Sequence, residues 1–181
     1  MLTRDQALAL VETKITTGHL FKHSLAVENV MRDLALRLNQ DENLFSLTGL
    51  LHDLDADITA GEPDKHTLIT CSLLKGLVPE IVSNAILAHN HKHPAETTLD
   101  KALLCADPVT GLITAAVLMH PSRKLTRVET PFLKKRFKEK RFAAGASREQ
   151  IAGCAELGLN LEEFLELSLK AMQKIAPQLG L

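Results

Sequence analysis

From Thr3 onward, apolar residues recur at steps of three and four, broken by residues that start and stop helices. No stretch alternates β-branched and polar residues as a half-buried strand would. A chain patterned in this way is expected to be all-α. Thr3 with Gln6 forms a capping box that opens a first helix, and Gly18 is placed to end it in a left-handed conformation. A second helix runs from about Leu20 to Leu38, with His23, Val27, Val30, Met31, Leu34 and Leu38 on its buried stripe. Asp41 caps a third, whose Leu44, Leu47, Thr48 and Leu51 share one side and which ends in His52 and Asp53. After the loop LDADITAGEPD, a fourth spans about Lys65 to Lys75 and aligns His66, Ile69, Thr70 and Leu73. A fifth starts near Pro79 and aligns Val82, Ala85, Ile86 and His89.

The stretch LDKALLCADPVTGLITAAVLMHP is apolar enough to be central, but Pro108 removes a backbone donor and is expected to end or kink the helix at Asp107. Thr130-Pro131, Ser147 with Gln150, and Asn160 with Glu163 begin three further helices, and Gly158 supplies a stop. With 181 residues and 45% hydrophobic content, the chain can fill one core, so residues 1–181 are read as a single domain. The polar segment Pro121 to Thr130 is the nearest candidate boundary.

A net charge of -1 gives no global attraction to nucleic acid or membrane. The N-terminal MLTRDQALALVETK lacks the apolar region of a leader, and no apolar run is expected to reach the roughly 18–20 residues of a membrane span. Cys71, Cys105 and Cys154 are odd in number, far apart and set among apolar residues, as expected for reduced, buried thiols. The expectation is a soluble cytoplasmic protein.

Imidazole nitrogen and carboxylate oxygen are the usual ligands of Mn, Fe, Co and Zn, and a helical core must gather them from separate helices. Taken singly, His23, His66 and His89 read as core or surface histidines. Together with the adjacent His52 and Asp53 they point to a metal site, because a histidine on an apolar face costs free energy unless its ring nitrogens are bonded.

The segments HLFKHSLAVENV, LTGLLHDLDAD and LLCADPVTG supply, in order, His23, His52 with Asp53, and Asp107. In this order the chain resembles the HD superfamily of metal-dependent phosphohydrolases. KHTLIT and IVSNAILAHNHKHP are similar to the two intervening histidine positions of the two-metal members, and map to His66 and His89. The resemblance covers about residues 18–111. It implies a compact HD-domain helical bundle with its metal-binding core over about 18–120 and additional C-terminal helices over about 121–181. Two departures stand out. Many two-metal members continue the doublet with a glycine and a basic residue, whereas this chain continues Leu54, Asp55, Ala56, Asp57. The paired histidines and GYP signature of the cyclic-dinucleotide phosphodiesterases are also absent, since Asn90 follows His89.

The resemblance implies one or two divalent ions (Mn, Fe, Co, Zn or Mg), with Asp53 bridging, His23, His52 and Asp107 completing one site, and His66 and His89 holding the other. Asp53, His66 and His89 are the implied catalytic residues. The implied reaction is hydrolysis of a phosphate ester or anhydride in a small nucleotide-like substrate by metal-activated hydroxide. Two alternatives share the ligand set: a di-iron oxygenase, and a non-catalytic module in which the metal is structural. Lys65, Lys92, Arg123 and Lys124, with Lys22, are candidates to hold substrate phosphate. His91 and His93 are candidate proton donors, and Asp55 and Asp57 candidate supports of the metal shell. His19 and His120 fall outside the pattern.

Residues Ser122 to Arg141 hold nine of the 21 lysines and arginines against two glutamates. This segment reads as a solvated face with Phe132 and Phe137 turned inward, or as a basic rim that steers an anionic substrate. Nucleic acid is not an expected partner, and a homodimer through the C-terminal helices is compatible with the pattern.

Overall fold

The side-chain caps expected at Thr3, Asp41, Ser147 and Asn160 find their partners in the folded chain. Thr3 and Gln6 form the reciprocal capping box of α1 (Arg4–Lys14), and Asp41 accepts from the Leu44 amide at the head of α3 (Glu42–Leu51). The computed structural model describes residues 2–181. Between these two helices runs α2 (Gly18–Leu38), and α4 (Ala56–Thr59), α5 (Leu68–Leu73), α6 (Glu80–His89) and α7 (Thr98–Met119) follow. After a 3-10 turn at Leu125–Arg127 come α8 (Thr130–Lys138), α9 (Arg148–Ala152), a 3-10 stretch at Gly153–Leu157, α10 (Leu161–Lys174) and α11 (Ala176–Leu179). No strand occurs among the described residues.

The bundle is organised on α2 and α7, which pack against each other while α3 and α10 flank α2 and α6 flanks α7. At Gly49, α3 comes close against α2. A Cβ on Gly49 would lie 2.8 Å from the Val27 carbonyl oxygen and 3.0 Å from Glu28 Cα, so only glycine permits this spacing. Beside it, the buried Glu28 carboxylate is held by Arg32 at 2.9 Å and by both ends of the Arg4 guanidinium. One contiguous core extends from Ala7 to Leu179, including Leu125 and Val128 in the polar segment after α7.

Four local expectations are corrected. Gly18 does not end the first helix but opens the second. The chain leaves α1 at an extended Ile15, and Asp57 accepts from the Thr16 and Thr17 amides at 2.6 and 3.0 Å, which makes the turn without a left-handed residue. His66 is not on a helix: Thr67 has φ +70, and α5 starts only at Leu68. Pro108 does not end its helix. It lies within an unbroken α7, whose start is fixed by a Thr97–Asp100 capping box and whose flanks are buried, so loss of the one bond to the Leu104 carbonyl is tolerated. Finally, α7 is long and apolar enough to cross a membrane by length and composition, although most of it is packed inside the bundle.

In the basic segment Lys134 and Arg136 pair with Glu162 and Glu139, while Arg123, Lys124, Arg127, Lys135, Lys138, Lys140 and Arg141 are exposed. Phe132 and Phe137 pack on the core, and Arg136 lies over the Phe132 ring at 4.9 Å. Arg148 holds the following loop by donating to the carbonyls of Phe137, Ala143 and Ala146 at 3.1, 3.0 and 2.7 Å. Cys105 and Cys154 are buried thiols, whereas Cys71 is only half-buried; all three are unpaired.

Candidate metal centre

Six ligand-type side chains from separate elements meet where α2, α3, α6 and α7 converge. His23 comes from the second turn of α2, His52 and Asp53 from the C-terminus of α3, His66 from the turn before α5, His89 from the last residue of α6, and Asp107 from the middle of α7. His23 Nε2 lies 3.0 Å from Asp107 Oδ1 and 3.8 Å from Asp53 Oδ2. The other Asp53 oxygen faces three rings, with Nε2 of His66, His52 and His89 at 3.3, 3.4 and 3.4 Å. Two overlapping groups, His23–His52–Asp107 and His52–Asp53–His89, bring their ligand atoms within 4.8 Å of one another.

All four rings are anchored through Nδ1, which leaves Nε2 directed inward. His52 Nδ1 bonds the Gly49 carbonyl at 2.8 Å, and His89 Nδ1 the Ile86 carbonyl at 2.6 Å. His66 Nδ1 bonds Asp55 Oδ1 at 2.8 Å, and His23 Nδ1 bonds Thr110 Oγ1 at 3.0 Å. Since the Thr110 hydroxyl donates to the Asp107 carbonyl, it accepts from His23. A carbonyl can only accept, so His52 and His89 carry their proton on Nδ1 and present a lone pair at Nε2. In His52 that lone pair faces a carboxylate oxygen, and both His52 Nε2 and Asp53 Oδ1 are buried without a hydrogen-bond partner. Buried acceptors turned toward one another are unfavourable unless a cation lies between them. The donor set therefore fits a divalent metal ion.

Electrostatics follow the same geometry. Burial pushes His52 down to about 4, against the pull of Asp53. Burial opposes ionisation of Asp53, but the facing His52, His66 and His89 outweigh it and hold the carboxyl well below its usual range. His66, facing the Asp53 carboxylate and bonded to Asp55, is raised to about 9. His23 is raised because Asp107 more than offsets its burial, and Asp107 is lowered in return. A cation held here would compete with protons for the inward ring nitrogens.

The supporting residues were only partly visible in the sequence. Asp55 binds His66 through one oxygen and the Thr70 amide through the other, at 2.9 Å, while its own amide donates to Thr70 Oγ1. Asp57 instead ties down Thr16 and Thr17, away from the centre. Thr110 and Gly49 act through a hydroxyl and a backbone carbonyl, which no ligand pattern singles out.

The candidate phosphate-binding residues are not gathered at the cluster. Lys65 is exposed and paired with Glu62. Lys92 donates to the His66 carbonyl and so steadies that turn. Arg123 and Lys124 are exposed beyond the end of α7, about 18 Å of helix past Asp107. Lys22 lines a cavity beside His23 together with His19. His91 and His93 border cavities on another side of α7, and His120 bonds Ser122 and packs edge-on against Phe132.

The family model described as HD domain matches residues 20–128. Among curated proteins, the chain is similar to Ribonuclease Y of Campylobacter jejuni, with 34% identity over 85 residues, 46% of this chain and 16% of that protein. It is similar to Ribonuclease Y of Nitratiruptor sp., with 30% identity over 132 residues, 70% of this chain and 25% of that protein. With Ribonuclease Y of Campylobacter hominis it shares 29% identity over 159 residues, 84% of this chain and 30% of that protein. The matched stretches thus span less than a third of these relatives. No solved structure matches the chain.

Proposed function

Because the chain belongs to the HD domain family, we propose that its histidine–aspartate centre hydrolyses a phosphate ester or anhydride, in a small nucleotide-like substrate, with a divalent metal ion. The observation that carries this reading is the set of four Nδ1-anchored imidazoles and two carboxylates aimed at one point. Mixed nitrogen and oxygen donors suit Mn, Fe, Co or Zn better than Mg, which favours oxygen ligands. His52 belongs to both ligand groups and could hold one ion through Nε2, while Asp53, with one oxygen toward His23 and the other toward His66 and His89, could serve a second as well.

A bound divalent ion supplies a more acidic water and offsets the charge that develops on the phosphoryl oxygens. The chain supplies the frame. His52 and His89 form a buried floor, with side chains 0% and 5% exposed, while Asp107, His66 and His23 are 33%, 23% and 22% exposed. Substrate therefore approaches from the side of these three. Asp55 and Thr110 keep the His66 and His23 rings from turning as it binds, which preserves the geometry required for attack.

The test is turnover. Protein loaded separately with Mn, Fe, Co, Zn and Mg is assayed against nucleotides, dinucleotides, small phosphate esters and, because the relatives are named ribonucleases, an RNA oligonucleotide. Hydrolysis that disappears in the His52→Ala plus Asp53→Ala protein supports the reading. Silence across the panel with metal fully bound rejects it, and cleavage confined to the oligonucleotide replaces the small-molecule substrate with RNA.

A further inference from the structure

Gly111 follows Asp107 by one turn on the same face of α7, and a Cβ built there would meet no protein atom within 4 Å. Its φ is not positive, so neither helix packing nor backbone conformation calls for glycine at this position. In a helix interior glycine is less favourable than alanine, because more chain entropy is lost on folding. The bare position instead marks the junction of two cavities. One, of about 350 Å3, is bounded by His23, Asp107, Gly111 and the loop residues Ala143 and Gly145. The other, of about 460 Å3, shares His23 and Gly111 and extends past Lys22 and Thr114 to Leu118, Leu179 and Leu181.

The geometry points to one substrate cleft that crosses α7 over Gly111, with the phosphoryl group at His23 and Asp107 and an uncharged organic group of nucleoside size in the larger cavity. This rests on the phosphohydrolase reading and adds where the rest of the substrate lies. The walls define its class. Leucine and alanine side chains dominate the larger cavity, which suits a flat heterocycle, and the volume is within the roughly 300–1,000 Å3 usual for small-ligand sites. Within it, Lys22 and Thr114 offer donors to hydroxyl or carbonyl oxygens. His23 stands at both cavities, so a ligand that spans them is bonded at phosphorus and packed at its other end.

The experiment is calorimetric binding of inorganic phosphate and of adenosine 5′-monophosphate to the Mn-loaded full chain, in wild type, Gly111→Ala and Gly111→Leu. In wild type the nucleotide is expected to bind at least about tenfold more tightly than phosphate. Gly111→Leu should abolish that excess, so that nucleotide and phosphate bind the variant with equal affinity. Gly111→Ala should reduce it by a smaller factor while melting above wild type. Equal wild-type affinities, or an undiminished excess in either variant that melts at or above wild type, overturn the cleft and leave the phosphate reading standing. No phosphate binding by metal-loaded wild type overturns both.

Discussion

Asp55 Oδ1 accepts from His66 Nδ1 at 2.8 Å while its Oδ2 accepts from the Thr70 amide at 2.9 Å, so one buried carboxylate sets both a ligand ring and the start of α5. Because His66 lacks a helix to orient it, this bond is its main constraint. Asp55→Ala is expected to weaken metal binding about 10–100-fold, the usual cost of losing a group that orients a ligand. Competition against a chelating dye measures it. An unchanged affinity would show that the His66 ring is fixed by something else.

Gly49 allows α3 to lie against α2, and its carbonyl also holds the His52 ring. A methyl group there would press on the Val27 carbonyl, and overpacking of this kind costs about 1–3 kcal/mol. For a chain of this size, Gly49→Ala should lower the melting temperature by about 2–12 °C. A variant that melts with wild type would mean that the two helices separate freely.

Metal should stabilise the fold as well as activate it. At a free concentration one hundred times its dissociation constant, an ion bound only by the folded state adds about 2.7 kcal/mol, or about 5–11 °C in melting temperature. Mn titrated into chelator-treated protein is expected to give that rise, and to give none in the His52→Ala plus Asp53→Ala protein. Equal shifts in both would place the ion elsewhere.

Asp57 provides a dependence on pH away from the metal centre. Hydrogen bonds from Thr17, and then from Thr16, depress its carboxyl to about 2, below the ordinary 3.8. A group depressed on folding stabilises the folded chain above its unfolded pKa and loses that contribution as pH falls through the folded one. The stability gap between wild type and Asp57→Ala, measured by urea unfolding, should be constant near neutrality and narrow from about pH 4 toward pH 2. A gap independent of pH over that window would assign it to packing.

How much of this was readable in the sequence depended on whether a signal was local. Capping residues such as Thr3, Asp41, Ser147 and Asn160 act within three residues, and each finds its expected partner. The helical stripes that hold His23 and His89, and the end of the third helix at His52 and Asp53, were legible for the same reason. What stayed hidden depended on contacts between distant segments. Asp57 reaches back 41 residues to Thr16, which removes the need for Gly18 as a stop. His66 is set by Asp55 and not by helical phase, and Pro108 is overruled by burial on both sides. Gly49 and Gly111 look alike in the sequence, yet one is required by a neighbouring helix and the other stands open.

The inward lone pairs of His52 and His89 and the unpaired Asp53 oxygen make the centre of this bundle locally frustrated: its most buried polar atoms repel in the absence of a cation. Such a core persists only if the rest of the chain over-determines it. The double capping boxes, the Gly49 contact and the Glu28–Arg4–Arg32 cluster are then what hold a discordant centre in place. Random substitution should accordingly find stabilising changes most often among the ligands themselves, where relief of the conflict and loss of function are the same event.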